Sequence, residues 1–138
     1  MQKDFKIFIS EEYSTNKRTI FSLISKGTLF NLTGADPVTF DFKKNGSFLF
    51  QFKERGTIYG TFEEIIPDTR ISLNWNVNGF GRDEEVNTKV IIAVFKLDDG
   101  AVIEINHSGI RNKTSAVAKK RAWTEMVREL KKKIVHAA

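Results

Sequence analysis

His107 and His136 are the only imidazoles in the chain and cysteine is absent. The groups that most often serve as nucleophile, general base or soft metal ligand are therefore scarce. None of the eight serines sits in a G-x-S-x-G elbow, which argues against a Ser–His–acid hydrolase. A zinc site built on two imidazoles would have to use His136 near the C-terminus, and no H-x-x-x-H or Cys/His spacing is present, so no metal ligand is assigned. Gly79-Phe80-Gly81 has Glu84 where a dinucleotide fingerprint needs its third glycine. Lys113-Thr114 has Asn112 in the place of a phosphate loop's second glycine. Among paired carboxylates, Glu63-Glu64 falls in an extended segment, which sends the two side chains to opposite faces. No catalytic residue and no cofactor follow from these patterns, and the residues read as a binding domain more than as an enzyme.

A binding reading has more to work with. Twelve phenylalanines stand among 138 residues. Phe48 and Phe50 share one face of an expected strand, with Leu49 and Gln51 on the other. His107 alternates onto the face of Ile103 and Ile105, where an imidazole either orients a ligand's polar group or is buried and bonded to backbone. The second reading is favoured, because buried polar groups usually find a protein partner. Trp75 and Trp123 are each either a ligand wall or core, and large rings are more often core. The candidate ligand cavity consists of Phe48, Phe50, Tyr59, Trp75, His107, Trp123 and Met126.

These side chains need a scaffold, and the hydrophobic pattern specifies an α+β one. Residues Asp4–Glu12 alternate as a strand, with Phe5, Ile7 and Ile9 on one side. Tyr13-Ser14-Thr15-Asn16 offers capping residues before a helical run that ends at Gly27, and a second helical turn spans Thr28 to Leu32. Strands are then expected at Val38–Phe42, Ser47–Lys53, Thr57–Ile66, Arg70–Val77, Thr88–Leu97 and Ala101–His107. Gly, Pro, Asn and Asp punctuate them as an antiparallel meander requires. Asn78 to Asn87 is polar and longer than a tight turn, and a mobile connection is expected there. From Ser115, read as N-cap, to Ile134 one long amphipathic helix gathers Trp123, Met126, Val127, Leu130 and Ile134 into a single arc.

The length suits one domain, 1–138, with a single core. There is no signal-peptide h-region and no apolar run long enough to span a membrane, so a soluble, cytoplasmic protein is expected. The net charge of +5 invites a nucleic-acid partner. Much of the excess, however, lies in Lys119, Lys120, Arg121, Arg128, Lys131, Lys132 and Lys133, which reads as the solvated face of the long helix, and no nucleic acid is assigned.

Local spellings carry a resemblance. Gly60-Thr61-Phe62-Glu63-Glu64-Ile65-Ile66-Pro67, followed by Ile71 and Trp75, is similar to a G-x-hydrophobic-x-E-hydrophobic-x-P run and a strand ending in Trp. Ile103-Glu104-Ile105-Asn106-His107-Ser108-Gly109 looks like a strand ending in His-Ser-Gly, and Ala122-Trp123 with Leu130 looks like a terminal-helix Gly-Trp and Leu pattern. Together they resemble the START-like, birch-pollen-allergen (SRPBCC) superfamily, in the branch similar to the C-terminal domain of activators of the heat-shock-protein-90 ATPase. The chain departs from it at Leu32-Thr33-Gly34-Ala35-Asp36, where many relatives are aromatic, and at Ala122, where Gly is usual. The resemblance implies a helix-grip fold. A curved seven-stranded antiparallel sheet would wrap a long C-terminal helix, with two short helices between strands one and two and a cavity that holds an apolar or amphipathic molecule or is filled by side chains.

Three functions compete on this basis. The first is a non-enzymatic module binding a small hydrophobic molecule in the cavity. The second, implied by the resemblance, is a co-chaperone-like domain docking a chaperone or other protein; no room is expected for those activators' separate N-terminal domain, so ATPase activation is not carried over. A homodimer is related to it, because Lys89 to Leu97 is apolar on both faces. The third, an enzyme of the cyclase or hydrolase kind, would rest on fold alone.

Overall fold

The computed structural model describes residues 4–32, 34–53, 55–79 and 85–137. The elements are β1 (Phe5–Tyr13), α1 (Lys17–Ser25), α2 (Thr28–Asn31), β2 (Asp36–Phe40), β3 (Ser47–Phe52), β4 (Gly56–Ile66), β5 (Arg70–Gly79), β6 (Glu85–Leu97), β7 (Gly100–Ile110) and α3 (Lys113–Ala137). The seven strands form one antiparallel sheet in the order β1-β7-β6-β5-β4-β3-β2. The meander from β2 to β7 is thus completed by β1 on its far edge, and α1 and α2 carry the chain from one edge to the other. This is the helix-grip arrangement.

Strand ends differ from expectation in ways that backbone chemistry explains. β2 starts at Asp36 and contains Pro37, which an edge strand tolerates because no neighbour needs its missing N–H. β5 runs to Gly79 and β6 begins at Glu85, so the expected Asn78–Asn87 connection is shorter, and its centre, 80–84, lies outside the described residues. The ladder between β5 and β6 is interrupted by a bulge between Trp75 and Val77, two residues whose side chains are buried. Asn76 covers the disrupted stretch, donating to the Tyr59 carbonyl (3.1 Å) and accepting from the Asn87 amide (2.8 Å).

The inside of the sheet is filled mainly by aromatic rings at the end covered by α1 and α2. Phe30 stacks on Phe50 at 5.6 Å, Phe48 lies 5.3 Å from Phe62 and 5.6 Å from Trp75, and Phe42 meets Phe62 edge-on at 5.0 Å. Pairs of this kind add about 0.5–1.5 kcal/mol each beyond their buried area, which accounts for the high Phe share without a ligand. Gly60 makes this packing possible: any Cβ there would collide with the Asn74 carbonyl and the Phe48 ring.

α3 approaches β1, β7 and α2 most closely. Its buried stripe contains Trp123, Met126, Val127 and Leu130, with Ile134 half-buried. Tyr13 ties it down by donating to the Val127 carbonyl at 2.8 Å; burial, with the nearby Glu11 charge, pushes that hydroxyl's pKa well above its ordinary value. The helix begins earlier than expected, and its cap is Asn112, not Ser115: the Asn112 Oδ1 accepts from the Ser115 amide at 2.7 Å. Replacing Asn112 by Ala should therefore cost about 1 kcal/mol, read from the shift of the urea midpoint at unchanged slope.

Candidate functional site

His107 is fully buried, and its surroundings fix its protonation. The Trp123 indole can only donate, and its Nε1 lies 3.1 Å from His107 Nδ1, so Nδ1 is the acceptor and the proton sits on Nε2. Nε2 then donates to Thr88 Oγ1 at 2.8 Å, and the Thr88 hydroxyl donates onward to the Trp75 carbonyl at 2.6 Å. Trp123, His107, Thr88 and Trp75 thus form one directed chain from α3 through β7 and β6 to β5. Burial, reinforced by the Lys119 charge and opposed by Glu85, lowers the imidazole pKa to about 3. Both ring nitrogens are committed within the protein, to side chains where the sequence suggests backbone.

A second polar cluster lies at the start of α3. Glu85 is buried; its carboxylate accepts from the Arg111 amide at 2.7 Å and from Ser115 Oγ at 2.8 Å. It is also paired with Lys119 Nζ at 2.7 Å. Burial alone would raise the Glu85 pKa, but the Lys119, Arg111 and Ser115 hydrogen bonds and the Lys119 charge together hold it below the ordinary carboxylate value. Lys119 also donates to Ser115 Oγ at 2.6 Å. Contrary to expectation, Lys119 is not part of the solvated helix face: its side chain is only 13% exposed, whereas Lys120, Arg121, Arg128, Lys131 and Lys132 do face solvent.

Between these clusters α3 stands away from β3, β4 and β5, leaving a cleft of about 430 Å³. Its apolar walls include Leu32, Phe52, Ile58, Trp75, Val77, Trp123 and Met126, and α3 also contributes Ser115, Ala118, Lys119, Ala122, Glu125 and Glu129. Two other depressions, of about 430 and 450 Å³, border the Asp98–Gly100 turn and are lined largely by polar side chains.

Of the seven residues that the sequence singles out, Trp75, Trp123 and Met126 line the cleft. Phe48 and Phe50 are packed into the aromatic core, and His107 sits behind Trp123. Tyr59 is elsewhere: it pairs with Leu49 in register, on the outer face of the sheet opposite Phe48 and Phe50, and is 37% exposed. Glu85, Thr88, Ser115 and Lys119 escape sequence reasoning as site residues. Nothing local announces them, because each gains its role from a partner distant in sequence.

No described helix is long and apolar enough to cross a membrane. Among solved structures, protein MLL2253 from Mesorhizobium loti is similar at a TM-score of 0.83 and 13% identity, covering 97% of this chain and 99% of that one. CalU16 from Micromonospora echinospora follows at 0.70 and 18%, covering 91% and 73%. An HSP90 activator from Plasmodium falciparum is similar at 0.58 and 22%, covering 76% and 73%. At such identities the likeness establishes the fold. No curated protein matches the sequence. The sequence profile described as "Activator of Hsp90 ATPase homolog 1-like protein" matches residues 15–134, nearly all of the sheet and long helix just described, and the chain belongs to that family.

Proposed function

We propose that the chain is a binding domain that takes a small apolar or amphipathic molecule in the cleft between α3 and β3–β5. The observation that carries this reading is the cleft itself. At about 430 Å³ its volume falls within the roughly 300–1,000 Å³ of small-molecule sites, and it lies beside a core whose other end is filled by phenylalanine rings. Trp75, Trp123 and Met126 would touch the ligand. His107 would act through Trp123 by holding its indole in place, and Phe48 and Phe50 would stiffen the wall behind.

The test is native mass spectrometry of the purified protein, followed by identification of any molecule released on denaturation, with the oligomer read from the same spectrum. Ala122 lines the cleft and is otherwise exposed. Ala122→Phe should therefore weaken binding of the released molecule by roughly tenfold or more, while the melting temperature changes little.

A second reading has its own support. The outer face of the sheet is not covered by a described helix, and it exposes Phe8 (50%) and Phe95 (46%). Family membership makes a chaperone-docking or self-associating surface a reasonable use for it. A protein that emerges bare, and binds no member of a lipid and aromatic library, would move the assignment to this face and to a cytoplasmic protein partner.

A further inference from the structure

We propose that the cleft selects a cationic amphiphile, an amine joined to a flat apolar body; this rests on the cleft being the ligand site. The charges that border it decide the sign. Among the described residues the ionisable groups lining the cleft are Lys119, Glu125 and Glu129. The Lys119 ammonium lies 2.7 Å from Glu85 Oε1 and 2.6 Å from Ser115 Oγ, so its charge is cancelled by a buried carboxylate and two of its protons are engaged. It is a poor anchor for a ligand carboxylate, because taking it would leave Glu85 uncompensated.

The two remaining groups are acidic. Ala118, Ala122, Glu125 and Glu129 follow one another at spacings of three and four along α3, which puts them on one stripe beside the cleft. The alanines leave room, and the glutamates form its rim. Glu125 has no ion-pair partner among the described residues. Glu129 meets Lys132, at 3.0 Å, in a pair whose side chains are 51% and 68% exposed and which water readily replaces.

The chain as a whole is basic, at +5, and at long range this disfavours a cation. Screening limits that field to about 8–10 Å; Lys120 points away from the stripe, and Arg121 and Arg128, four residues before and three after Glu125, flank it in solvent without lining the cleft. Of the charged groups that line the cleft beside Trp75 and Trp123, Glu125 and Glu129 are the ones without a buried counter-charge. Exposed carboxylates contribute modestly, so the preference for an amine over a matched neutral molecule should be roughly threefold to tenfold and should shrink with added salt.

The experiment compares naphthylmethylamine, methylnaphthalene and naphthylacetate, titrated into the full chain at low and high salt and followed by tryptophan fluorescence. The expected order is amine tightest and carboxylate weakest at low salt, with the spread closing at high salt. The Glu125→Gln, Glu129→Gln double variant should bring the amine and the neutral probe together. Equal or tighter binding of the carboxylate, or a preference that survives in the double variant, overturns the charge assignment while leaving the cleft as a ligand site. Failure of all three probes to bind overturns the cleft reading and this inference with it.

Discussion

On acidification from about pH 6.5 to about pH 4.5 the protein should lose about 2–3 kcal/mol of folding stability, and the His107→Gln variant should lose much less over the same interval. His107 titrates at 6.5 when unfolded and at about 3 when folded, so between these values the unfolded chain binds a proton that the native one refuses. Stability therefore falls as pH falls through this range. The cause is structural. A proton can be added only at Nδ1, where it would displace the Trp123 indole donor at 3.1 Å and place a charge in a site with no exposure. Glu85 acts in the same direction but in a different window: its folded pKa is depressed from 4.5, so its contribution is present above that value and is lost as pH falls through the folded pKa. The chosen interval thus ends where Glu85 begins to titrate, and the difference between the parent and His107→Gln isolates the imidazole. A glutamine retains one acceptor and a donor for the Trp123 and Thr88 contacts without titrating. Urea midpoints measured across the interval are the readout. Parallel slopes for the two proteins would show that His107 does not carry the acid sensitivity.

The same residue shows how far the sequence can be read. Alternation puts His107 on the inner face with Ile103 and Ile105, and all three are buried there. It cannot name Trp123 and Thr88 as partners, because hydrogen-bond direction depends on how three elements meet. Phe48 and Phe50 separate from Leu49 and Gln51 for the same reason of period. Tyr59 does not: the inner position facing Phe48 across β3 and β4 belongs to Gly60, and a glycine adds no hydrophobic signal to decide between Ile58 and Tyr59. The long helix is legible from its apolar arc. Its start is obscured because Ser115 is an acceptable cap, and only the contact with Glu85 shows that its hydroxyl is used elsewhere. An aromatic-rich composition is equally compatible with an open cavity and a filled one. In the fold, rings pack the end toward α1 and α2, and a cleft lies beside Ala118 and Ala122.

Lys119→Met should destabilise the protein by about 2–4 kcal/mol, and adding Glu85→Gln to it should recover most of that loss. Removing one partner of a buried pair typically costs about 3–5 kcal/mol because the remaining charge is left uncompensated, whereas removing both can be nearly neutral. The lower range applies here because Lys119 retains 13% exposure and can admit some water. In the single variant Glu85 still has the Arg111 amide and the Ser115 hydroxyl, but burial, the largest influence on its pKa, is no longer opposed by an ammonium. Loss of the Lys119 hydrogen bond and charge should raise the folded pKa of Glu85 relative to the parent, so the variant's deficit should narrow as pH is lowered through the ordinary carboxylate range. The coupling is taken from the four urea-unfolding free energies of the parent, the two single variants and the double variant. Strictly additive losses would mean that the 2.7 Å contact carries no energy of its own. A large coupling would identify the brace that joins the start of β6 to the first turns of α3, and with it the fixed edge of the cleft. The cleft's width would then depend on an ion pair whose acidic member no ligand touches, since Glu85 faces the helix start and the cleft is bordered on that side by Ser115 and Lys119.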